Sequence, residues 1–342
     1  MNVFVFSEGY RPFFDHFAGL LISAKKSKNV QFYFFINENK NEMSDLLFKK
    51  YKSCPNIKFC SNNSIYTIFK LISGKALIFG SPKNFLKYIL LSIQIINRKV
   101  MRITLHPGNV LKASGIYKKR YRYLPTLIKF YLINLFFPFR ILTATEDLKL
   151  YFSAAFAYPI RTLLVYPLPK HIYINTNLKS SKKKNIIYIS PTHRWDNKKS
   201  PLEKLLEQKS FIKELKKLDF EIKYTLHPHS PNHTNSKISS FNGDWSTVAA
   251  TVTDYSSIGY DYFFSGGKNL IYFIPDINEF ESHEGYSPLF RMHAKNHFIA
   301  SNLNYLYSYL RRIKELSIKE SGTKSIKFKN NYFSDLYSEI YN

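Results

Sequence analysis

The chain has 342 residues, with 50 Lys and Arg against 24 Asp and Glu, a formal net charge of +26. An apolar fraction of 45%, including 30 Phe and 26 Tyr, excludes a disordered chain, and the length suits two domains. Two cysteines, Cys54 and Cys60, are too few for a disulfide framework or a zinc site of their own and point to a reducing compartment.

Residues 3–6 read as a buried first strand rather than a secretory signal, since no basic segment precedes them. A loop through Gly9 leads to a helix over 13–25 and a strand over 30–36. A strand over 76–79, a helix over 85–96 and a strand over 100–105 continue the alternation. This β-α-β rhythm predicts parallel sheet with helices on both faces. No apolar run reaches the ~18 residues of a membrane span. The nearest, over 124–142, carries Lys129, Asn134, Pro138 and Arg140. The polar stretch 175–185 lacks apolar periodicity and predicts a linker. After it come a strand over 186–189, a helix over 201–218, strands over 221–226 and 249–253, a helix over 255–264 and a strand over 269–273. The expected architecture is α/β, with two Rossmann-like domains over 1–174 and 186–342, the last helix packing back on the first domain.

In open α/β sheets, ligands collect beyond the carboxyl ends of the strands. Several chemistry-bearing residues stand there. Asp254, Tyr255, Ser256 and Ser257 follow a strand and open a helix, whose first N–H groups with two hydroxyls suit phosphate oxygens or, equally, an ordinary N-cap. His227, before Pro228, is either a phosphate donor or a loop histidine bonded to backbone. With His229 and His233 it makes no metal set, because no carboxylate or thiolate has matching spacing. Arg194 in Pro191-Thr192-His193-Arg194 suits a bidentate pair with a diphosphate or a solvated surface. His106, before Pro107 and Gly108, suits a general base or a structural role. The quartet Thr104-Leu105-His106-Pro107 recurs as Thr225-Leu226-His227-Pro228.

Together these segments resemble the CDP-glycerol glycerophosphotransferase family, the teichoic-acid polymerase and primase type. Asp254-Tyr255-Ser256-Ser257 with Asp261 is similar to that family's T-D-Y-S-S-x-x-x-D signature. Ile274-Pro275-Asp276 resembles the strand end and Asp that follow it, His227-Pro228 its H-P pair, and Pro191 to Arg194 its P-T-W-R. His106 to Gly115 resembles W-H-G-T-P-L-K-x-x-G. The resemblance implies a GT-B enzyme with two domains facing each other across a cleft. It would move a polyol phosphate from a CDP-activated donor to an acceptor hydroxyl, releasing CMP. The implied base is His106, with His227 and Asp261 also catalytic. The implied donor binders are Arg194, His227, Asp254, Ser256 and Ser257, with Asp261 at the donor's polyol end.

Implied partners are a CDP-polyol, a lipid-linked or polymeric acceptor, and the anionic inner face of the cell membrane. For the last, Lys118, Lys119, Arg120 and Arg122 precede an aromatic, apolar stretch, and the resemblance implies that Lys112 would face an anionic acceptor. No tightly bound cofactor is expected and a divalent metal requirement stays open. A nucleotide-sugar glycosyltransferase needs the same cleft and stands as the alternative. A nucleic-acid-binding protein would suit the charge, but no helix-turn-helix, zinc finger or RNP segment accompanies it.

Overall fold

Short apolar runs between amphipathic segments become strands covered on both faces, and here they build two parallel sheets. The structure is a computed structural model. It describes residues 1–6, 14–27, 29–35, 48–60, 74–79, 97–105, 128, 139–156, 158–179, 185–194, 198–226, 239–241, 243–283, 285–295, 297–317 and 331–341. The described residues divide into two units, the first taking those up to Tyr173 together with 331–341, the second those from Ile174 to Ser317.

The first unit holds β1 (Asn2–Phe6), β2 (Gln31–Phe35), β3 (Ile57–Cys60), β4 (Ala76–Phe79), β5 (Val100–Leu105), β6 (Phe139–Thr143) and β7 (Leu163–Val165). Their order is β3-β2-β1-β4-β5-β6-β7 and every pairing is parallel. Helices α1 (Phe14–Lys26) and α2 (Glu146–Phe156) accompany the sheet, and the division between the units falls within α3 (Pro169–Leu178). All four residues of β4 are buried, as a central strand between two covered faces requires. Val3, Val5, Leu20, Leu21, Phe32 and Leu77 belong to the main core of this unit.

The second unit holds β8 (Ile186–Ser190), β9 (Glu221–Tyr224), β10 (Ser239–Ser240), β11 (Val248–Thr253), β12 (Leu270–Phe273) and β13 (Phe298–Ala300). They are parallel in the order β10-β9-β8-β11-β12-β13. Its helices are α4 (Pro201–Glu207), α5 (Lys209–Lys217), α6 (Ser257–Phe264), α7 (Ile277–His283), α8 (Pro288–Ala294) and α9 (Leu303–Ser317). Each sheet starts at an inner strand, winds outward one way, then returns and winds the other. That is the doubly wound order, and it places a switch point between β1 and β4 and another between β8 and β11. The chain ends in α10 (Tyr332–Tyr341), which belongs to the first unit. Phe333 packs on Phe32 and Phe79, and the Tyr166 hydroxyl donates to the Tyr332 carbonyl at 2.9 Å.

Two expectations change, and a third segment gains a definite structure. The helix expected over 201–218 is two helices, broken at Gln208, whose backbone is extended. At about 100° per residue, Phe211 in one continuous helix would lie about 180° from Leu202. The break lets Leu202, Leu205 and Leu206 share one core with Phe211 and Leu215. The polar stretch expected as a linker from 175 begins inside α3, where buried Asn175 donates to the Ser265 carbonyl at 2.7 Å. The apolar run 124–142 ends in a strand, β6, with Phe139, Ile141 and Leu142 buried.

Close packing in the first unit depends on Gly19 of α1. A Cβ built there would lie 1.7 Å from the Pro169 carbonyl oxygen. Gly19→Ala should therefore destabilise the protein by roughly 1–3 kcal/mol, as overpacking does. An unobstructed helix site would instead gain about 0.4–1 kcal/mol from the same change. A urea midpoint that rises in the variant would contradict this packing.

Candidate functional site

The second switch point, between β8 and β11, gathers the described site residues. β11 is buried along its whole length, and its last residue ties it to its neighbour: the Thr253 hydroxyl donates to the Ser190 carbonyl at 2.6 Å. Asp254 comes next and is fully buried. Its Oδ1 accepts the Thr192 backbone N–H at 2.8 Å, so the carboxylate holds the turn that leaves β8. Its Oδ2 lies 3.4 Å from Nη2 of Arg194.

Arg194 is the centre of this arrangement. The same Nη2 donates to Oδ2 of Asp276 at 2.7 Å, and Asp276 stands just beyond β12. The guanidinium lies over the Phe280 ring at 4.5 Å and the Tyr255 ring at 5.2 Å. Those two rings stack on each other with centroids 3.6 Å apart. One cation thus joins the ends of three strands and α7. Burial raises the Asp276 carboxyl above its ordinary range, with Arg194 opposing the shift. The Tyr255 hydroxyl is raised by burial and then by Asp276 and Asp254. Arg194, expected as a solvent-facing phosphate ligand or a surface residue, is 6% exposed and engaged with two carboxylates.

Directly after Asp254 and Tyr255, Ser256 caps α6, its Oγ accepting the Ile258 N–H at 3.4 Å. Ser257 is the first helical residue. The N–H groups of a helix's first turn point out of its end and carry its positive pole, which is an anion site in chemical terms. Gly259 seats this helix on the sheet: a Cβ there would meet Thr253 Cγ2 at 2.9 Å and the Tyr272 hydroxyl at 3.0 Å. Asp261, one turn further, is 6% exposed, and its charge contributes to raising the Tyr272 hydroxyl, after burial.

Sequence reasoning placed Arg194, Asp254, Ser256 and Ser257 beyond strand ends of the second domain as donor binders. It gave no role to Asp276, Tyr255 or Phe280, although a carboxylate just past a third strand end was visible in Ile274-Pro275-Asp276. His106, Lys112, Lys118, Lys119, Arg120, Arg122 and His227 lie outside the described residues. Among the described residues, no group of three His, Cys, Asp or Glu side chains is placed to hold a metal ion, and no helix is long and apolar enough to cross a membrane.

Behind α6 lies an aromatic cluster. Tyr260 and Phe264 stack against His293 of α8, and Phe263 meets His297 edge-on. The two imidazoles are 4.5 Å apart, and neither Nε2 has a hydrogen-bond partner among the described residues. Burial, reinforced by the neighbouring His297, lowers His293 to about 3, and burial lowers His297 to about 4.

Comparison with known proteins follows the same lines. The family model for CDP-Glycerol:Poly(glycerophosphate) glycerophosphotransferase matches residues 4–335. A variant of the wall teichoic acid polymerase TagF soaked with CDPG superposes with a TM-score of 0.61 at 17% identity, covering 99% of this chain and 88% of that one. A putative UDP-N-acetylglucosamine 2-epimerase from Listeria monocytogenes gives 0.53 at 11% identity, covering 98% and 93%. The UDP-GlcNAc 2-epimerase of Neisseria meningitidis, bound to UDP-GlcNAc, gives 0.50 at 12%, covering 99% and 98%. At such identities the likeness establishes the fold, the GT-B class of paired Rossmann-like units. No curated protein matches the chain.

The buried histidines make a pH prediction for the support of α6. Their folded pKa values lie below the ordinary ~6.5, so the unfolded chain binds more protons as pH falls. Their contribution is complete above about pH 6.5 and is lost as pH falls from there toward 4 and then 3. At pH 5 the loss from His293 should be on the order of 2 kcal/mol. His293→Phe should flatten the stability difference between pH 7 and pH 5 measured by urea unfolding. An unchanged slope would contradict it.

Proposed function

The chain belongs to the CDP-glycerol:poly(glycerophosphate) glycerophosphotransferase family, and from that premise we propose that it transfers glycerol phosphate from CDP-glycerol to a hydroxyl of a cell-surface polymer or lipid-linked glycan. The observation that carries the donor site is the start of α6 at the switch point of the second sheet. A diphosphate needs N–H and O–H donors converging from loops at strand ends, and Ser256 and Ser257 supply them at a helix's positive pole. His227 joins them as a further donor, and Asp261 binds the polyol end of the donor or orients the groups around it.

In the reaction the acceptor oxygen attacks the phosphorus that carries glycerol. The bond from that phosphorus to the bridging oxygen breaks, and CMP leaves with the electron pair. The hydroxyl proton passes to His106, since an imidazole is the side chain best suited to accept a proton at neutral pH. Electrostatic stabilisation of the departing phosphate falls to the helix start.

The acceptor side is read from sequence: Lys112 with Lys118, Lys119, Arg120 and Arg122 forms a basic segment beside an apolar one, suited to an anionic lipid surface carrying a lipid-linked acceptor. The structural relative TagF is a wall teichoic acid polymerase, which supports a teichoic-acid-like product. The epimerase likeness keeps nucleotide-sugar chemistry as the competing reading of the same fold.

One assay separates them. Purified protein incubated with CDP-glycerol, CDP-ribitol and UDP-GlcNAc in the presence of glycerophosphate oligomers on anionic vesicles should release CMP and no UDP or UMP. His106→Ala should lower kcat by roughly 100-fold or more with little change in donor KM, and Ser256→Ala with Ser257→Ala should raise donor KM. Release of UDP, or near-normal turnover of His106→Ala, would overturn the assignment. Equal flotation with neutral and anionic vesicles would remove the membrane part.

A further inference from the structure

We propose that Arg194 is not a contact for the donor but, with Asp254 and Asp276, a positioning cluster that sets where the helix start of α6 points. The inference rests on the reading that the donor diphosphate sits at that helix start.

Charge is the first argument. A side chain that binds a diphosphate must offer net positive charge. Here one guanidinium is matched against two carboxylates, at 2.7 Å and 3.4 Å. With both carboxylates ionised the cluster is net negative, so an arriving phosphate gains no net attraction from it. Access is the second. Arg194 Nη1 has no hydrogen-bond partner among the described residues, yet it is buried from solvent along with nearly all of the side chain. A ligand in solvent reaches it only if the cluster rearranges. Oδ1 of Asp276 and the Thr192 hydroxyl are likewise buried and have no hydrogen-bond partner among the described residues.

Connectivity is the third argument. Asp254 holds the Thr192 N–H with one oxygen and meets Arg194 with the other, two residues before the cap of α6. Arg194 is clamped in turn by Asp276 and by the rings of Tyr255 and Phe280. The position of Asp254, and through it the direction of the Ser256 and Ser257 N–H groups, is thereby tied to Asp276 at the end of β12. Asp276 is the residue this reading adds: it lies two strands away from β8 in the sheet and reaches the site through Arg194 and the neighbouring Tyr255.

The two readings predict opposite signs for Asp276. If Arg194 touches phosphate, removing the competing carboxylate in Asp276→Asn frees the guanidinium and lowers donor KM. If the cluster positions α6, Asp276→Asn raises donor KM with kcat little changed, lowering kcat/KM by about 10- to 100-fold, the scale of small misplacements. Arg194→Gln should act in the same direction. The double variant should be no worse than Arg194→Gln alone, because the two residues form one unit. Arg194→Lys, which keeps a charge between the carboxylates, should recover part of the loss.

Amide hydrogen exchange gives a readout independent of turnover. Residues 253–264 should exchange faster in Asp276→Asn and Arg194→Gln than in the wild type, while residues 2–6 and 76–79 of the first unit remain unchanged. Should the wild type release no CMP from CDP-glycerol, the functional reading fails and the exchange comparison still decides the positioning role. A lowered donor KM in Asp276→Asn, additive effects in the double variant, or unchanged exchange over 253–264 would each overturn the proposal.

Discussion

A carboxylate without solvent at the end of a central strand is costly unless it is paired and hydrogen-bonded, and Asp254 is such a group. The chain around it is arranged to meet that requirement. One oxygen takes a backbone N–H from the turn after β8, and the other meets Arg194. Arg194 in turn is held by Asp276 and two aromatic faces. Breaking a buried pair by deleting one partner typically costs about 3–5 kcal/mol, because the remaining charge is stranded. The ends of β8, β11 and β12 therefore move together or not at all, and the helix that starts two residues after Asp254 inherits their geometry.

This constraint gives the doubly wound sheet its use. Parallel strands order their ends on one edge, and the reversal of winding between β8 and β11 leaves room there for a ligand. The first unit has the same order around β1 and β4, with α10 packed among Phe32, Phe79 and Tyr166. In the second unit the switch point is framed from behind as well. Gly259 lets α6 sit flush on Thr253 and Tyr272, and the His293 cluster closes the far side of the same helix.

The alternation of apolar runs with helical patterns was legible, because a strand buried on both faces leaves a continuous run and a helix leaves a periodic one. Short strands such as β3, β7 and β13 were not, since three or four apolar residues fit a loop or a helix equally well. The break at Gln208 was hidden for another reason: the residue has no turn chemistry, and only the opposed faces of Leu202 and Phe211 betray it. At the site, strand-end position made Asp254, Ser256 and Ser257 visible. The partner of Arg194 was not, because Asp254 and Asp276 are 60 and 82 residues away and a strand-end Asp reads first as a helix cap. An isolated arginine in a basic chain looks available for phosphate until its carboxylates are seen.

The central claim is that the helix start of α6 receives the donor diphosphate while Arg194 stays locked behind it. A crystal structure of the protein soaked with CDP-glycerol tests this most directly. The account predicts phosphate oxygens within hydrogen-bond distance of the Ser256 and Ser257 hydroxyls or N–H groups, with the Arg194 guanidinium still between Asp254 and Asp276. A guanidinium swung out onto the diphosphate, or a donor bound away from α6, would contradict it.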